Sequence, residues 1–319
     1  MENNWYDIFL DVICKKYPKK NQLTQELMDI LFIEREAVYR RLRKEVAFSF
    51  QEIVKIASEW KISLDEIIGI STGQIPFQMR QINYLNPSKD EIKFLQQIIQ
   101  TYKNYNEDTD SELMSICNKL PRQLLAGYER LNQLSMFKRV YQYGYEKDAV
   151  QLSQAVISKE SNRISADYYQ AIKNFKNTNF IFDRMLFDFL VSDIQYFYSI
   201  RIINDEEKAL IKKDLNALLD YLQEVANYGY YPETQKKVNI YISQINIDTN
   251  YSYVFAPERN VCFIHVFEKY EIFTYNQDMV ANFKTWMQLK KRSSVQISEV
   301  DERNRIEYFT RQRRLVSNL

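Results

Sequence analysis

The sequence predicts a mainly α-helical protein with three folded parts. These are an N-terminal five-helix domain, a helical bundle or stack in the middle, and a small α+β module with an antiparallel meander at the C-terminus. Apolar residues recur at helical spacing through most of the first 230 residues. Only five Gly and six Pro occur in 319 residues, and 45% of the residues are hydrophobic, as is typical of folded, helix-rich proteins. After Tyr231, short β-branched and aromatic segments replace the helical pattern.

The N-terminal domain is predicted to span residues 1–72. Its first helix is indicated by apolar side chains at helical spacing, Trp5, Phe9, Val12 and Ile13. Pro18 ends that helix. Four shorter helices are then predicted, over residues 23–31, 34–43, 50–60 and 63–70. Residues 73–87, which contain Gly73, Pro76 and Pro87, are predicted to form a linker.

Residues 88–230 are predicted to form a helical region for dimerisation or sensing. The segments "LLAGYERL" and "ADYYQAIKNF" have residue patterns similar to those of tetratricopeptide repeats, but no second full copy falls in register at a period of about 34 residues. The most apolar stretch, "NFIFDRMLFDFLVSDIQYFYSI", contains Asp183, Arg184, Asp188 and Asp193. Because these charges argue against a bilayer span, the stretch is interpreted as a buried helix.

Residues 231–319 are predicted to form the α+β module. Four short segments, "KVNIYISQI", "YSYVFAP", "NVCFIHVF" and "YEIFTY", are separated by turn-forming residues and indicate an antiparallel meander. A helix is expected over Met279–Lys291, then a short strand at "SVQIS", and finally a charged helix over Glu302–Leu315.

Residues with reactive side chains are few and scattered. Cys14, Cys117 and Cys262 have no close Cys or His partner in the sequence, so neither a disulfide framework nor a zinc site is expected. His265 is the only histidine and is expected to have a packing role in a strand. The sequence contains no glycine-rich phosphate loop and no nucleophile motif. We therefore expect no enzymatic activity, no cofactor and no metal.

The start of the sequence and the charge balance indicate a cytoplasmic protein without a membrane partner. The start, "MENNWYDIFLDVIC", lacks the basic region and apolar core of a secretory signal. The chain has 43 Lys and Arg against 42 Asp and Glu, so no overall positive field attracts a polyanion. Any contact with phosphate must therefore come from local placement of charge.

The segment "VYRRLRKEVAFSFQEI" contains such a local cluster. On a helix over residues 34–44, Val38 and Leu42 share one side. The opposite arc carries long polar side chains, which are Arg35, Glu36, Tyr39, Arg40 and Arg43. The apolar helix "ELMDILFI" precedes it across a turn near Phe32 and Ile33. The cluster is either an ordinary solvated face or the outward face of a helix that reads the major groove.

Residues 23–69 resemble the lambda-repressor-like, Cro-type helix-turn-helix family. "ELMDILFI" lies where the family has its first motif helix, and "EREAVYRRLRK" lies where it has the recognition helix. "FSFQEIVKIASEW" and "ISLDEIIG" match its last two helices. Phe32 replaces the usual turn glycine, and Lys44 replaces a glycine that ends the recognition helix. We therefore expect Phe32 to become buried or to adopt another turn geometry, and Lys44 to extend the helix.

The resemblance implies a transcriptional regulator that binds double-stranded DNA. By position, Arg35, Glu36, Tyr39 and Arg40 are expected at base edges, and phosphate contacts are expected from Arg43, Lys44, Thr24 and Gln25. Residues 1–74 contain eleven Lys and Arg against twelve Asp and Glu, so affinity is expected to be modest and raised by homodimerisation. Residues 88–319 would then dimerise the protein or sense a signal, with an effector or a protein of unknown identity as a further partner. The alternative is a protein-interaction scaffold that does not bind DNA.

Overall fold

The structure, a computed structural model, divides the chain into two compact units, Met1–Phe77 and Gln78–Leu319. It describes residues 5–60, 62–72, 75–79, 87–106, 110–143, 151–155, 157–256, 259–266 and 270–319. Each unit buries its own hydrophobic core. In the described part of the chain, no helix is both long enough and apolar enough to cross a membrane.

The described residues of the first unit contain five helices. They are α1 (Trp5–Lys16), α2 (Lys20–Leu31), α3 (Arg35–Leu42), α4 (Phe50–Trp60) and α5 (Leu64–Thr72). Apolar residues four positions apart lie on one face of a helix, and Leu23, Leu27 and Leu31 form such a face on α2. Together with Phe9 on α1 and Val38 on α3, they belong to one continuous core.

The second unit is built on one mixed sheet, which has eight strands among the described residues. They are β1 (Gln78–Met79), β2 (Glu112–Cys117), β3 (Asn177–Asp183), β4 (Lys237–Ser243), β5 (Tyr251–Ala256), β6 (Arg259–Val266), β7 (Tyr270–Thr274) and β8 (Ser294–Gln296). Their order is β1-β7-β6-β5-β2-β3-β4-β8. Strands β2, β3 and β4 run parallel, whereas every other neighbouring pair is antiparallel.

Helices cover both faces of this sheet. They are α6 (Pro87–Asn106), α7 (Arg122–Leu125), α8 (Glu129–Tyr143), α9 (Lys159–Ala171), α10 (Leu186–Ser199), α11 (Asp205–Tyr228), α12 (Gln277–Arg292) and α13 (Glu302–Ser317). Alternate residues of β2 point to different cores: Leu113 belongs to the larger core, whereas Met114 and Ile116 pack in the core that contains Phe283 and Met287 of α12. The central strands are therefore buried on both faces, as parallel strands usually are.

The prediction of a helical bundle or stack in the middle of the chain is wrong. Strands β2 and β3 both lie in this region. The stretch interpreted as one buried helix is divided: its first five residues, "NFIFD", belong to β3, and α10 begins at Leu186. Six of the seven residues of β3 are buried, so its sequence lacks the alternation that marks a strand with one solvated face. A tetratricopeptide-like body is likewise excluded, because a sheet runs through this region.

The expected boundaries within residues 73–319 also change. One sheet takes strands from both sides of the division expected at residue 230. Within the expected linker 73–87, Gln78–Met79 pairs with β7 and α6 begins at Pro87. Gly73 and residues 80–86 lie outside the described residues. Three of the four segments expected in the antiparallel meander form it as β5-β6-β7, followed by α12, β8 and α13 in the expected order. The first segment, "KVNIYISQI", contains β4, which instead pairs in parallel with β3 and antiparallel with β8, so its place in the meander was predicted wrongly.

Candidate nucleic-acid interface

The turn between α2 and α3 contains an unusual aromatic residue. Phe32 follows the last residue of α2 in the left-handed conformation, with φ 56° and ψ 45°, and its N–H donates to the carbonyl of Met28 at 2.8 Å. Its side chain is 87% exposed. The expectation that Phe32 becomes buried or changes the turn geometry is therefore wrong: Phe32 takes a conformation that glycine adopts freely and leaves its ring in solvent.

The end of α3 also has a residue other than glycine in the left-handed conformation. The helix ends at Leu42, and Lys44 is left-handed, with φ 63°. The N–H of Lys44 donates to the carbonyl of Arg41 at 3.0 Å, and the N–H of Glu45 donates to that of Arg40 at 2.9 Å. Lys44 therefore ends the helix instead of extending it, contrary to expectation. Both positions at which the resemblance has glycine carry other residues with positive φ.

The inner face of α3 is anchored by an apolar contact and an ion pair. Val38 is fully buried. Arg41 forms two hydrogen bonds with Glu52 of α4, at 2.8 and 3.2 Å, and a third with the carbonyl of Ala37 at 3.1 Å. Burial raises the pKa of Glu52, but its bonds with Arg41 and Ser49 outweigh burial and lower it. Arg41 is thus a structural member of the basic cluster.

The outer face of α3 presents the other basic side chains. Arg35, Glu36, Arg40 and Arg43 are exposed, and Tyr39 is half-buried. Arg43 donates to Glu45 at 2.7 Å and to Glu36 at 3.1 Å. The Arg40 guanidinium lies 3.8 Å from Glu45. Among the described residues Arg35 has no ion-pair partner.

Lys44 is paired outside the helix. Its ammonium group donates to Asp7 of α1 at 2.5 Å, and this bond raises the pKa of Lys44. In the same way, the bond from Arg43 lowers the pKa of Glu45. The unit therefore supplies its own carboxylates to much of the basic face. The sequence alone did not indicate this role of Glu45 and Asp7, although Glu45 stands two residues after Arg43.

The two candidates on α2 differ in exposure. Thr24 is fully buried, and its hydroxyl donates to the carbonyl of Lys20 at 2.8 Å. Its side chain cannot reach a phosphate in this conformation, which corrects the expectation for Thr24. Gln25 is exposed and donates to Asp29 at 3.0 Å, so its amide remains at the surface.

Comparisons with known proteins do not identify this unit or the whole chain: no family model, curated protein or solved structure matches. Within the described ranges no group of three or more His, Cys, Asp or Glu side chains could hold a metal ion. Cys14, which is exposed, and Cys117 and Cys262, which are buried, are free thiols.

Proposed function

We propose that the protein is a sequence-specific DNA-binding transcriptional regulator. Its first unit contacts double-stranded DNA, and residues 78–319 mediate homodimerisation or sense a signal. The arrangement of α2 and α3 carries the proposal. A tight turn joins the two helices, Val38 anchors α3, and Arg35, Arg40 and Arg43 project from its exposed face. A helix held in this way is suited to enter the major groove.

The proposed roles divide along α3. Arg35 and Arg40 reach base edges, with Glu36 and Tyr39 beside them. Arg43, Lys44 and Gln25 contact phosphates. Lys44 follows the end of α3 and Gln25 lies on α2, so these contacts would flank the reading residues.

The carboxylates that pair with the basic face of α3 would determine how DNA affinity depends on salt. Arg43 must exchange Glu36 and Glu45 for DNA phosphates, and Lys44 must release Asp7. Exposed ion pairs contribute little to stability, so this exchange costs little. Because duplex DNA carries one phosphate charge per about 1.7 Å of helix axis, it can compete for these cations, most effectively at low salt. Modest affinity for one site is therefore expected, with a steep salt dependence for the dimer.

A protein-interaction scaffold is the second candidate, and two exposed rings favour it. Phe32 is 87% exposed in the turn before α3, and Phe50 at the start of α4 is 76% exposed. Exposed aromatic rings are common anchors at protein interfaces. In this case the paired charges of α3 would form a polar surface for a protein partner.

Selection of bound sequences from random DNA duplexes by the full-length protein tests the proposal. An enriched inverted repeat with half-sites about one helical turn apart would support a symmetric dimer on DNA. If no sequence is enriched, and if any binding to DNA duplexes is absent or does not depend on salt, the scaffold is favoured.

Two substitutions separate base reading from phosphate contact. Arg40→Ala should weaken binding to the selected site by about 1 to 3 kcal/mol and flatten the preference at one or two base positions. Lys44→Ala should weaken binding to all sequences alike and reduce the salt slope by about one. If both variants are folded and bind as the wild type does, the basic face is only solvated and the proposal fails.

A further inference from the structure

A cleft in the second unit lies outside the carboxyl ends of parallel strands. It encloses about 360 Å³ and is lined by residues that follow β2, by side chains of α8 and α10, and by the loop before β5. In sheets with parallel strands, ligands characteristically bind beyond the carboxyl ends of the strands, where connecting segments diverge. A volume of this size accommodates a small organic molecule.

The charged side chains of the cleft are mainly basic. Among the described residues that line the cleft, four side chains are cations, Lys119, Arg122, Lys138 and Arg139, and two are carboxylates, Asp193 and Asp248. Lys138 forms an ion pair with Asp193. Asp248 accepts a hydrogen bond from the hydroxyl of Tyr251 at 2.9 Å. Three of the four cations are half-buried, in a concave site where charge acts more strongly than on an open surface.

The cleft also has an apolar side. Leu120, Leu125, Leu186 and Leu190 are buried, and they line the same space as the cations. Phe189 lines it too, although its side chain is 47% exposed. An exposed phenyl ring beside basic groups can contact the apolar or aromatic part of a ligand whose anionic part meets the cations.

Hydrogen bonds hold the two loops of the cleft together. The side-chain oxygen of Asn250 accepts from the N–H groups of Asn118 and Lys119, at 2.9 and 3.2 Å. Its amide nitrogen donates to the carbonyl of Lys119 at 3.2 Å. Asn118 in turn donates to the carbonyl of Asp248 at 2.9 Å. The backbone that carries Lys119 is thus fixed before any ligand arrives, which lowers the entropic cost of binding.

We propose that this cleft binds a small organic anion, with a phosphate or carboxylate group at the cations and an apolar group against Phe189. Binding at this cleft does not require the proposed DNA binding by the first unit. Asp193 then acts as an internal competitor, because its carboxylate occupies Lys138 where the ligand anion would lie.

Isothermal titration calorimetry of the full-length protein tests the site with three probes: pyrophosphate, adenosine diphosphate and adenosine. Both anions should bind, and the nucleotide should bind more tightly because it adds a ring. Adenosine alone should not bind measurably. Arg139→Gln and Lys119→Gln should each weaken binding of both anions by about tenfold or more, since each removes a charge-assisted hydrogen bond. Lys176→Gln is the matched control, because Lys176 pairs with Asp110 at 3.0 Å and does not line the cleft.

Two further variants give readouts that general damage to the fold cannot produce. Asp193→Asn should strengthen binding of both anions severalfold, because it frees Lys138 and removes a negative charge. Phe189→Ala should weaken the nucleotide and leave pyrophosphate unchanged. If neither anion binds at millimolar concentration, or if Lys176→Gln weakens binding as much as Arg139→Gln does, the proposal is overturned. Binding of duplex DNA that is lost in Arg139→Gln but retained in Arg40→Ala would also overturn it, since the cleft would then be a nucleic-acid surface.

Discussion

Arg41 and Arg43 lie two residues apart in one basic cluster, yet they should have different effects when replaced. Arg41 bonds to Glu52 and to the carbonyl of Ala37, and the side chains of the ion pair are only 18% and 17% exposed. Hydrogen bonds to charged groups contribute about 1.5 to 3 kcal/mol. Because this pair is shielded but not fully buried, Arg41→Ala should lower the free energy of unfolding of the first unit by about 2 kcal/mol. Arg43 is exposed, and Arg43→Ala should leave stability unchanged within error.

Hydrogen exchange followed by mass spectrometry on the full-length chain measures this difference within α2, α3 and α4. A loss of about 2 kcal/mol corresponds to roughly thirtyfold faster exchange of the most protected amides. The double variant Arg41→Ala/Glu52→Ala should cost less than the two single variants together, because the partners act as one unit. If Arg41→Ala exchanges like the wild type, the pair does not stabilise the unit. Equal losses for Arg41→Ala and Arg43→Ala would show that exposure does not decide their contributions.

Three further predictions concern the same unit. Phe32→Gly should stabilise it by about 0.5 kcal/mol, since relief of the left-handed conformation exceeds the added freedom of the unfolded chain. Slower exchange in Phe32→Gly but not in Phe32→Ala would support this reason, and faster exchange in the glycine variant would contradict it. The folded-state pKa of Glu52 is lowered, so its ion pair should stabilise fully above the unfolded-state pKa of about 4.3 and be lost as pH falls through the folded-state pKa. Acid unfolding tests this, and an unchanged acid limb in Glu52→Gln would refute it. Glu45→Gln should raise the affinity for DNA severalfold, because it frees Arg43. An electrophoretic shift titration measures this affinity, and weaker binding by the variant would contradict competition between the Glu45 carboxylate and DNA phosphates.

Local pattern was sufficient for the helices of the first unit and for the meander of the second. The apolar spacing of α2 and α4 requires only a helical period, and each helix exposes one polar face. Strands β5, β6 and β7 are short and follow one another closely in the sequence, so their pairing is local as well. Strands β2 and β3 were missed because they are buried on both faces and pair in parallel across a long connection. A short apolar run of this kind cannot be told from a buried helix by its period.

The exposed arc of α3 was also predictable from local pattern. Val38 defines the inner side of the helix, and the helical period then places Arg40 and Arg43 on the outer side. The burial of Thr24 was not predictable, because it depends on how α2 packs within the unit.

The sequence by itself determined which residues are basic and which side of α3 they occupy. Only the tertiary structure decided the state of those charges. Arg41 meets Glu52 eleven residues away, and Lys44 meets Asp7 thirty-seven residues away. The cleft of the second unit likewise gathers cations from segments after β2 and on α8, which are separate in the sequence. A helical period specifies direction from one axis, whereas ion pairing and cavities depend on distances between elements, and those distances exist only after the chain has packed.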